Sequence, residues 1–140
     1  MRDHGIRAAA LALGLALCFA AFAADKAVDS AAAEKGQVTY TRYCVACHGP
    51  TGKGDGSLAP DLRISVPDLT HMSARSGGSY PYERVVRIIK SGEVVRGHGT
   101  VDMPAWGDAF KKTTGTEEAT VDAAVRNLTH YLHSIQKTAK

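Results

Sequence analysis

The pentapeptide Cys44-Val45-Ala46-Cys47-His48 constrains this chain more than any other stretch of it. Two nearby thiols followed directly by an imidazole form the C-x-x-C-H pattern to which a c-type haem is attached. The thiols add across the vinyl groups of the porphyrin, and the histidine is carried beneath the iron. The pattern therefore predicts one covalent haem, attached through Cys44 and Cys47 and ligated by His48.

Three other kinds of site also use two nearby cysteines: a thioredoxin-like redox pair, half of a zinc site and a small disulfide loop. A redox pair needs a βαβ context, and no segment has the pattern of a strand. A tetrahedral zinc site needs two further ligands at short spacing. These alternatives stay open, but the neighbouring sequence favours haem attachment.

A haem ligated by one histidine takes its sixth ligand from elsewhere in the chain. Met103 is followed by Pro104, which stiffens the loop that must hold this weak ligand. A soft thioether favours ferrous iron, and His/Met ligation raises the potential in cytochromes c. We predict Met103 as the sixth ligand. The competing candidates are Met72, His71, His98, His130 and His133.

Residues 1–23 have the pattern of a secretory signal peptide. Arg2 and Arg7 precede an uncharged run over residues 8–22, and Ala21-Phe22-Ala23 is an A-x-A cleavage site. The pattern predicts export to the periplasm. An uncleaved anchor is the alternative, although the apolar run is a little short for a bilayer span of about 20 residues.

Residues 24–140 would then form the mature protein, enough for one domain and not for two. Cleavage removes Cys18, which leaves Cys44 and Cys47 as the only thiols. It also removes two of the 17 basic and one of the 14 acidic residues, so the formal charge becomes 15 minus 13, or +2. No nucleic-acid partner is expected, because such partners need a strong basic stripe.

The mature sequence predicts the order helix, long loop, helix, loop, helix. A frayed leader over residues 24–30 precedes a helix that runs from about Ala32 into the haem motif. A loop rich in glycine and proline follows over residues 49–56, and Pro67 and Asp68 open a short helix.

Two later helices are predicted from their apolar periodicity. The first, after Pro81, has apolar residues one helical turn apart at Tyr82, Val85, Val86 and Ile89. The last has a longer stripe, made of Val121, Ala124, Val125, Leu128, Tyr131, Leu132 and Ile135.

Both ends of the mature chain resemble class I monohaem cytochromes c. The family pattern G-x-x-x-[FY]-x-x-x-C matches Gly36, Tyr40 and Cys44 on the first helix. The pattern L-x-x-[YF]-L of the last helix is matched by Leu128, Tyr131 and Leu132. The resemblance implies an all-α class I cytochrome c fold: roughly three to five helices wrapped around one haem, long loops, and crossing N- and C-terminal helices.

A proline after the haem motif is also typical of that family, and Pro60-Asp61-Leu62 matches it. In the family this proline's carbonyl accepts a hydrogen bond from the ligand imidazole. Such a bond fixes the ring tautomer and raises the basicity of the imidazole. The resemblance therefore implies that Pro60 orients His48.

The predicted signal peptide and the resemblance together imply a periplasmic carrier of single electrons, which we expect to be monomeric and not an enzyme. Its partners would be a donor dehydrogenase or quinol-oxidising complex and an acceptor oxidase or reductase, with membranes met only through them unless the leader is retained. Two alternatives stay open: a tightly bound cytochrome subunit of a periplasmic dehydrogenase or terminal reductase, and a gas-binding haem protein with an open iron position.

The residues around the haem edge are less constrained by the sequence. Trp106 is expected to pack beside the haem or the methionine loop. Candidate propionate donors are Tyr80, Arg75, Arg84, Arg87 and Arg96. Candidates for a basic rim are Lys53, Lys90, Lys111 and Lys112.

Overall fold

The computed structural model describes residues 26–91, 105–114 and 117–137, and helices and turns make up the regular structure of these ranges. The helices are α1 (Ser30–Tyr43), α2 (Val45–His48), α3 (Met72–Arg75), α4 (Tyr82–Ser91), α5 (Trp106–Thr114) and α6 (Glu118–Ser134), with 3₁₀ turns at Ala59–Asp61 and Leu69–His71. The predicted all-α class is confirmed. The signal peptide, His98 and Met103 lie outside the described residues.

Helix α1 begins at Ser30, slightly before the predicted start at Ala32. The cause is Asp29, whose carboxylate accepts a hydrogen bond from the Ala32 backbone N–H at 3.0 Å and so caps the helix. After Tyr43 the chain turns into α2 with Cys44 as the junction. The haem motif therefore continues from a long, capped helix.

Helices α1 and α6 cross at Gly36, as predicted for the two ends of the chain. A Cβ atom on Gly36 would overlap the carbonyl oxygen of Asn127, so only glycine allows this approach. Tyr40 and Leu128, each 1% exposed, fill the sides of the contact. The Tyr40 and Tyr131 rings lie 5.0 Å apart beside them.

Helix α4 packs against α6 with the apolar face that its periodicity predicts. Its four periodic residues, Tyr82, Val85, Val86 and Ile89, are all buried. At the far end Lys90 Nζ lies 2.5 Å from Glu118 and 2.7 Å from Asp122 on α6. These exposed ion pairs add little stability by themselves, so apolar packing determines the contact.

The prediction of a loop between α4 and the last helix is wrong for residues Trp106–Thr114, which form helix α5. The Trp106 and Phe110 rings lie 5.4 and 5.3 Å from the ring of Tyr43 on α1. Gly107 lies against the Lys90 carbonyl, and a Cβ atom at position 107 would overlap that carbonyl oxygen. A short helix with glycine in its first turn gains most of its stability from such packing.

Within the ranges that the structure describes, no helix has the length and apolar character needed to cross a bilayer.

Candidate haem-attachment site

The side chains of the C-x-x-C-H motif project from the single turn of α2. Cys44 and His48 are 8% and 4% exposed, and Cys47 is partly exposed. The His48 backbone N–H donates to the Cys44 carbonyl at 2.8 Å, which is the helical bond that brings these two residues to one face. The motif therefore presents a buried thiol and a buried imidazole together.

Cys44 and His48 both line a cavity of about 270 Å³. This volume lies just below the range of about 300–1,000 Å³ of small-molecule and cofactor pockets. Most of the surrounding side chains are apolar: Tyr40, Pro67, Leu69, Met72, Pro81, Val85, Ile88, Ile89, Trp106, Leu128 and Leu132. An apolar ligand suits such a lining.

The thiol of Cys44 is held in its neutral form. Burial raises its pKa to about 12, and the neighbouring Cys47 adds to the rise. A redox-active cysteine needs the opposite shift, because the thiolate is the nucleophile. This environment therefore does not activate the Cys44 thiol for redox chemistry.

The glycine-rich loop after the motif wraps around α2 and occupies its free carbonyl groups. Backbone N–H groups of Gly54, Gly56 and Leu58 donate to the carbonyls of His48, Cys47 and Ala46 at 2.9, 3.2 and 2.8 Å. The last carbonyls of a helix lack partners within it. The loop thus fixes the turn that carries the motif.

Pro60 lies in the 3₁₀ turn Ala59–Asp61 that follows this loop, and it is exposed. The turn packs beside α2, since Leu58 directly before it is bonded to Ala46. The position is compatible with a role beside His48. The hydrogen bond from the imidazole to the Pro60 carbonyl stays a prediction.

The alternative sixth ligands that the structure describes occupy different places. Met72 lines the cavity together with His48. His71 Nδ1 lies 3.1 Å from the Asp68 carboxylate. On α6, His130 Nδ1 accepts a hydrogen bond from the Asp29 N–H at 3.1 Å, and the His133 ring stacks on Tyr80 at 4.2 Å. Among these four, Met72 alone is at the cavity.

Two of the candidate propionate donors, Arg75 and Arg84, are exposed side chains that line the cavity, so they stand at its opening. Arg75 is oriented by a 2.7 Å hydrogen bond from its Nη2 to the Asp68 carbonyl. Tyr80 is buried instead, with its hydroxyl donating to the Thr129 carbonyl at 3.1 Å. The sequence alone did not distinguish among these residues.

Trp106 lines the same cavity, as expected from the sequence. Its indole Nε1 is buried and has no hydrogen-bond partner in the part of the chain that the structure describes. Buried donors are almost always paired in native proteins. This nitrogen therefore fits a ligand that carries an acceptor.

Comparison with known proteins identifies the family of this chain. Residues 31–132 match the family model described as cytochrome c oxidase, cbb3-type, subunit III. The chain belongs to this family. The predicted membership of the cytochrome c family is thus confirmed.

One curated relative is the cbb3-type cytochrome c oxidase subunit CcoP of Azospirillum brasilense, with 31% identity over 110 residues. The match covers 79% of this chain and 30% of that protein. A chain of the reducing HAO-like protein complex of Kuenenia stuttgartiensis has a similar fold, with a TM-score of 0.56 and 22% identity over 81% of this chain and 47% of that one. The chain therefore spans less than half the length of either protein.

Proposed function

We propose that the chain binds one haem c through Cys44 and Cys47, ligates its iron with His48 and Met103, and carries single electrons in the periplasm. The observation that carries this proposal is the placement of Cys44, directly before α2, and of His48, at its end, together at the wall of an apolar cavity. A bound haem supplies a one-electron ferric–ferrous couple.

The apolar side chains around His48 would exclude water from the iron. A low dielectric around the site disfavours the extra charge of the ferric form and raises the reduction potential. Tyr40 supports this apolar lining. Its hydroxyl donates to the Gly49 carbonyl at 2.7 Å, which holds the start of the glycine-rich loop against α1. These residues tune the potential without taking part in bond chemistry.

Arg75, Arg84 and the Trp106 indole N–H would hold the propionates. The two guanidinium groups stand at the cavity opening, where propionates reach solvent, and they pair well with carboxylates. The buried Trp106 Nε1 would gain the acceptor that it needs.

Electron transfer, rather than catalysis, is supported by the chemistry of the cavity. Its described lining contains one imidazole and two guanidinium groups but no carboxylate. The imidazole is committed to the iron in this proposal, so no carboxylate or free imidazole of the described lining remains as a general base. We therefore propose a carrier and not an enzyme.

A second candidate is a cytochrome subunit bound tightly within a larger redox complex. The names of the family and of the Azospirillum brasilense relative both describe oxidase subunits. Purification of the untagged protein from its native membrane and periplasmic fractions tests this candidate. A stoichiometric catalytic partner would support the subunit, and a protein that elutes alone would support the carrier.

Expression of the full chain with an export and haem-ligation system tests the main proposal. Intact mass spectrometry should show residues 24–140 plus one haem, and a redox titration should consume one electron per protein. A Cys44→Ala/Cys47→Ala variant, exported in the same way, should carry no covalent haem. Haem that extracts from the wild type into acidified butanone would contradict the proposal.

A further inference from the structure

We propose that Gln136, just beyond α6, is a positioning residue that holds one wall of the proposed haem cavity in place and thereby affects the reduction potential of the haem. It acts on residues 69–73, named here the wall segment, which comprise the second 3₁₀ turn and the start of α3. The inference rests on the proposed haem at this cavity.

The wall segment forms part of the cavity but has little stability of its own. Leu69 and Met72 line the cavity. The segment consists of a three-residue 3₁₀ turn and the beginning of a four-residue helix. Helical pieces of this length are unstable alone, so contacts from elsewhere must determine where the segment lies.

The side-chain amide of Gln136 binds both ends of the wall segment. Its Oε1 accepts a hydrogen bond from the Ser73 N–H at 3.0 Å, and its Nε2 donates to the Leu69 carbonyl at 2.8 Å. The same Nε2 donates to the Leu132 carbonyl of α6 at 2.7 Å. One side chain therefore joins the start and the end of the segment to the C-terminal helix.

Backbone contacts support the same arrangement without involving the Gln136 side chain. The Lys137 N–H donates to the Thr70 carbonyl at 2.8 Å, and the Leu69 N–H donates to the Gly52 carbonyl at 2.7 Å. These bonds would survive a substitution at Gln136. Loss of its amide should therefore loosen the wall segment without detaching it.

Gln136 is not among the residues that line the cavity, so it can affect the iron only through the wall segment. A looser wall admits water beside Leu69 and Met72. Water stabilises the more highly charged ferric state, because haem potentials depend on burial and dielectric. The potential of the holoprotein should fall.

The Gln136→Met variant tests this inference, because methionine keeps the side-chain length and removes all three hydrogen bonds. At a fixed mediator potential, the ferrous-to-ferric ratio should fall about tenfold relative to the wild type, which equals about 59 mV for a one-electron couple. If this variant yields no holoprotein, Gln136→Asn carries the same test, since its amide is too short to reach both ends of the segment.

Val121→Ala is the matched control for a general loss of stability. Val121 is fully buried on α6, the helix that precedes Gln136, but does not line the cavity. Its removal should lower the free energy of unfolding and leave the ratio within twofold of the wild type. An unchanged ratio in both Gln136 variants, or an equal fall in Val121→Ala, overturns the inference. Intact mass spectrometry of the wild type separates the two hypotheses. If the wild type carries no covalent haem, the proposed function fails. If it carries haem but the ratio does not depend on Gln136, only the role of Gln136 fails.

Discussion

His48 and His130 are both buried, yet their surroundings differ. His48 faces the apolar cavity beside Cys44. His130 lies on α6 and contacts the N-terminal segment, where its Nδ1 accepts a hydrogen bond from the Asp29 N–H. Its ring makes an edge contact with the Tyr82 ring, with the ring centres 4.9 Å apart. An imidazole that accepts at Nδ1 must be neutral, with its proton on Nε2. His130 is therefore a structural residue, and its titration should affect stability.

Replacement of His130 by asparagine should reduce the dependence of stability on pH. Burial lowers the pKa of His130 below its usual value of 6.5; Asp29 opposes this shift, whereas Lys26, His133 and Arg126 add to it. The unfolded chain therefore binds the extra proton first, so stability is complete above about pH 6.5 and falls as the pH drops towards the lower folded value.

Denaturant titrations of the holoprotein between pH 7.5 and about pH 5 measure this effect. One such histidine changes the free energy of unfolding by at most about 1.4 kcal/mol per pH unit. His130→Asn keeps an acceptor near the position of Nδ1 and removes the titration, so its slope should be smaller. Identical slopes in the two proteins would show that His130 does not contribute.

Met103→Ala should abolish the far-red sulfur-to-iron charge-transfer band of the ferric holoprotein and lower its potential, because the thioether's preference for ferrous iron is lost. Met72→Ala is the control, since Met72 lines the same cavity and should leave the band in place. Absorption spectra and redox titrations measure both. Loss of the band in Met72→Ala alone would make Met72 the ligand. A wild type that lacks the band, with a six-coordinate spectrum that only His98→Ala abolishes, would indicate bis-histidine ligation.

A local sequence pattern predicts the role of a residue only where the residues of the site lie close together in the chain. Cys44, Cys47 and His48 lie within five residues and are recognisable without a fold. Gln136 lies more than sixty residues from its partners Leu69 and Ser73, and no sequence pattern links them. The choice of Arg75 and Arg84 over Tyr80 likewise depends on which side chains reach the cavity, a property of the assembled fold.

At the scale of elements, the crossing of α1 and α6 positions the haem motif. Cys44 follows α1 directly, and two cavity residues, Leu128 and Leu132, lie on α6. The approach at Gly36 therefore determines how far apart these walls stand.

Gly36→Ala should destabilise the holoprotein by about 1–3 kcal/mol, because the added methyl group would overlap the Asn127 carbonyl and force the two helices apart. Denaturant unfolding followed by far-ultraviolet circular dichroism measures the change. Lys35→Ala, on the exposed face of the same helix, should stay within about 0.5 kcal/mol of the wild type. Equal stabilities of the two variants would mean that the crossing tolerates a side chain.

Periodicity predicted α4 and α6 because each buries one regular apolar stripe. It did not predict α5, where Trp106 and Phe110 are the large apolar residues and Gly107 weakens the helix. The available signal was the spacing of Trp106 and Phe110 by one turn. The helix forms because Tyr43 and the Lys90 backbone offer a surface for it, which a local pattern does not record.

At the scale of the whole molecule, the expected mature charge of +2 gives little long-range attraction to a partner. Docking should then depend on charges close to the haem edge. Lys53 is exposed in the loop that wraps α2, one residue from Gly54, which is bonded to the His48 carbonyl. We expect Lys53 to be one of these charges.

Lys53→Glu should slow electron transfer to a protein partner several-fold at low ionic strength while leaving transfer to small neutral mediators within twofold. Charge reversal at the rim repels an acidic partner, whereas a mediator needs no such docking. Stopped-flow kinetics with a purified oxidase or reductase and with a quinone mediator measure both rates. The difference should shrink as salt rises, since screening acts over about 10 Å at 0.1 M.

Lys35→Glu is the matched charge reversal away from the rim. Lys35 is exposed on α1, and nine residues of helix place it about 13 Å from Cys44 along the axis. It should therefore change the partner rate by less than twofold. Equal slowing by both variants would indicate a response to net charge alone, and no slowing by Lys53→Glu would place the docking surface elsewhere, as in a cytochrome subunit whose haem edge is covered by a permanent partner.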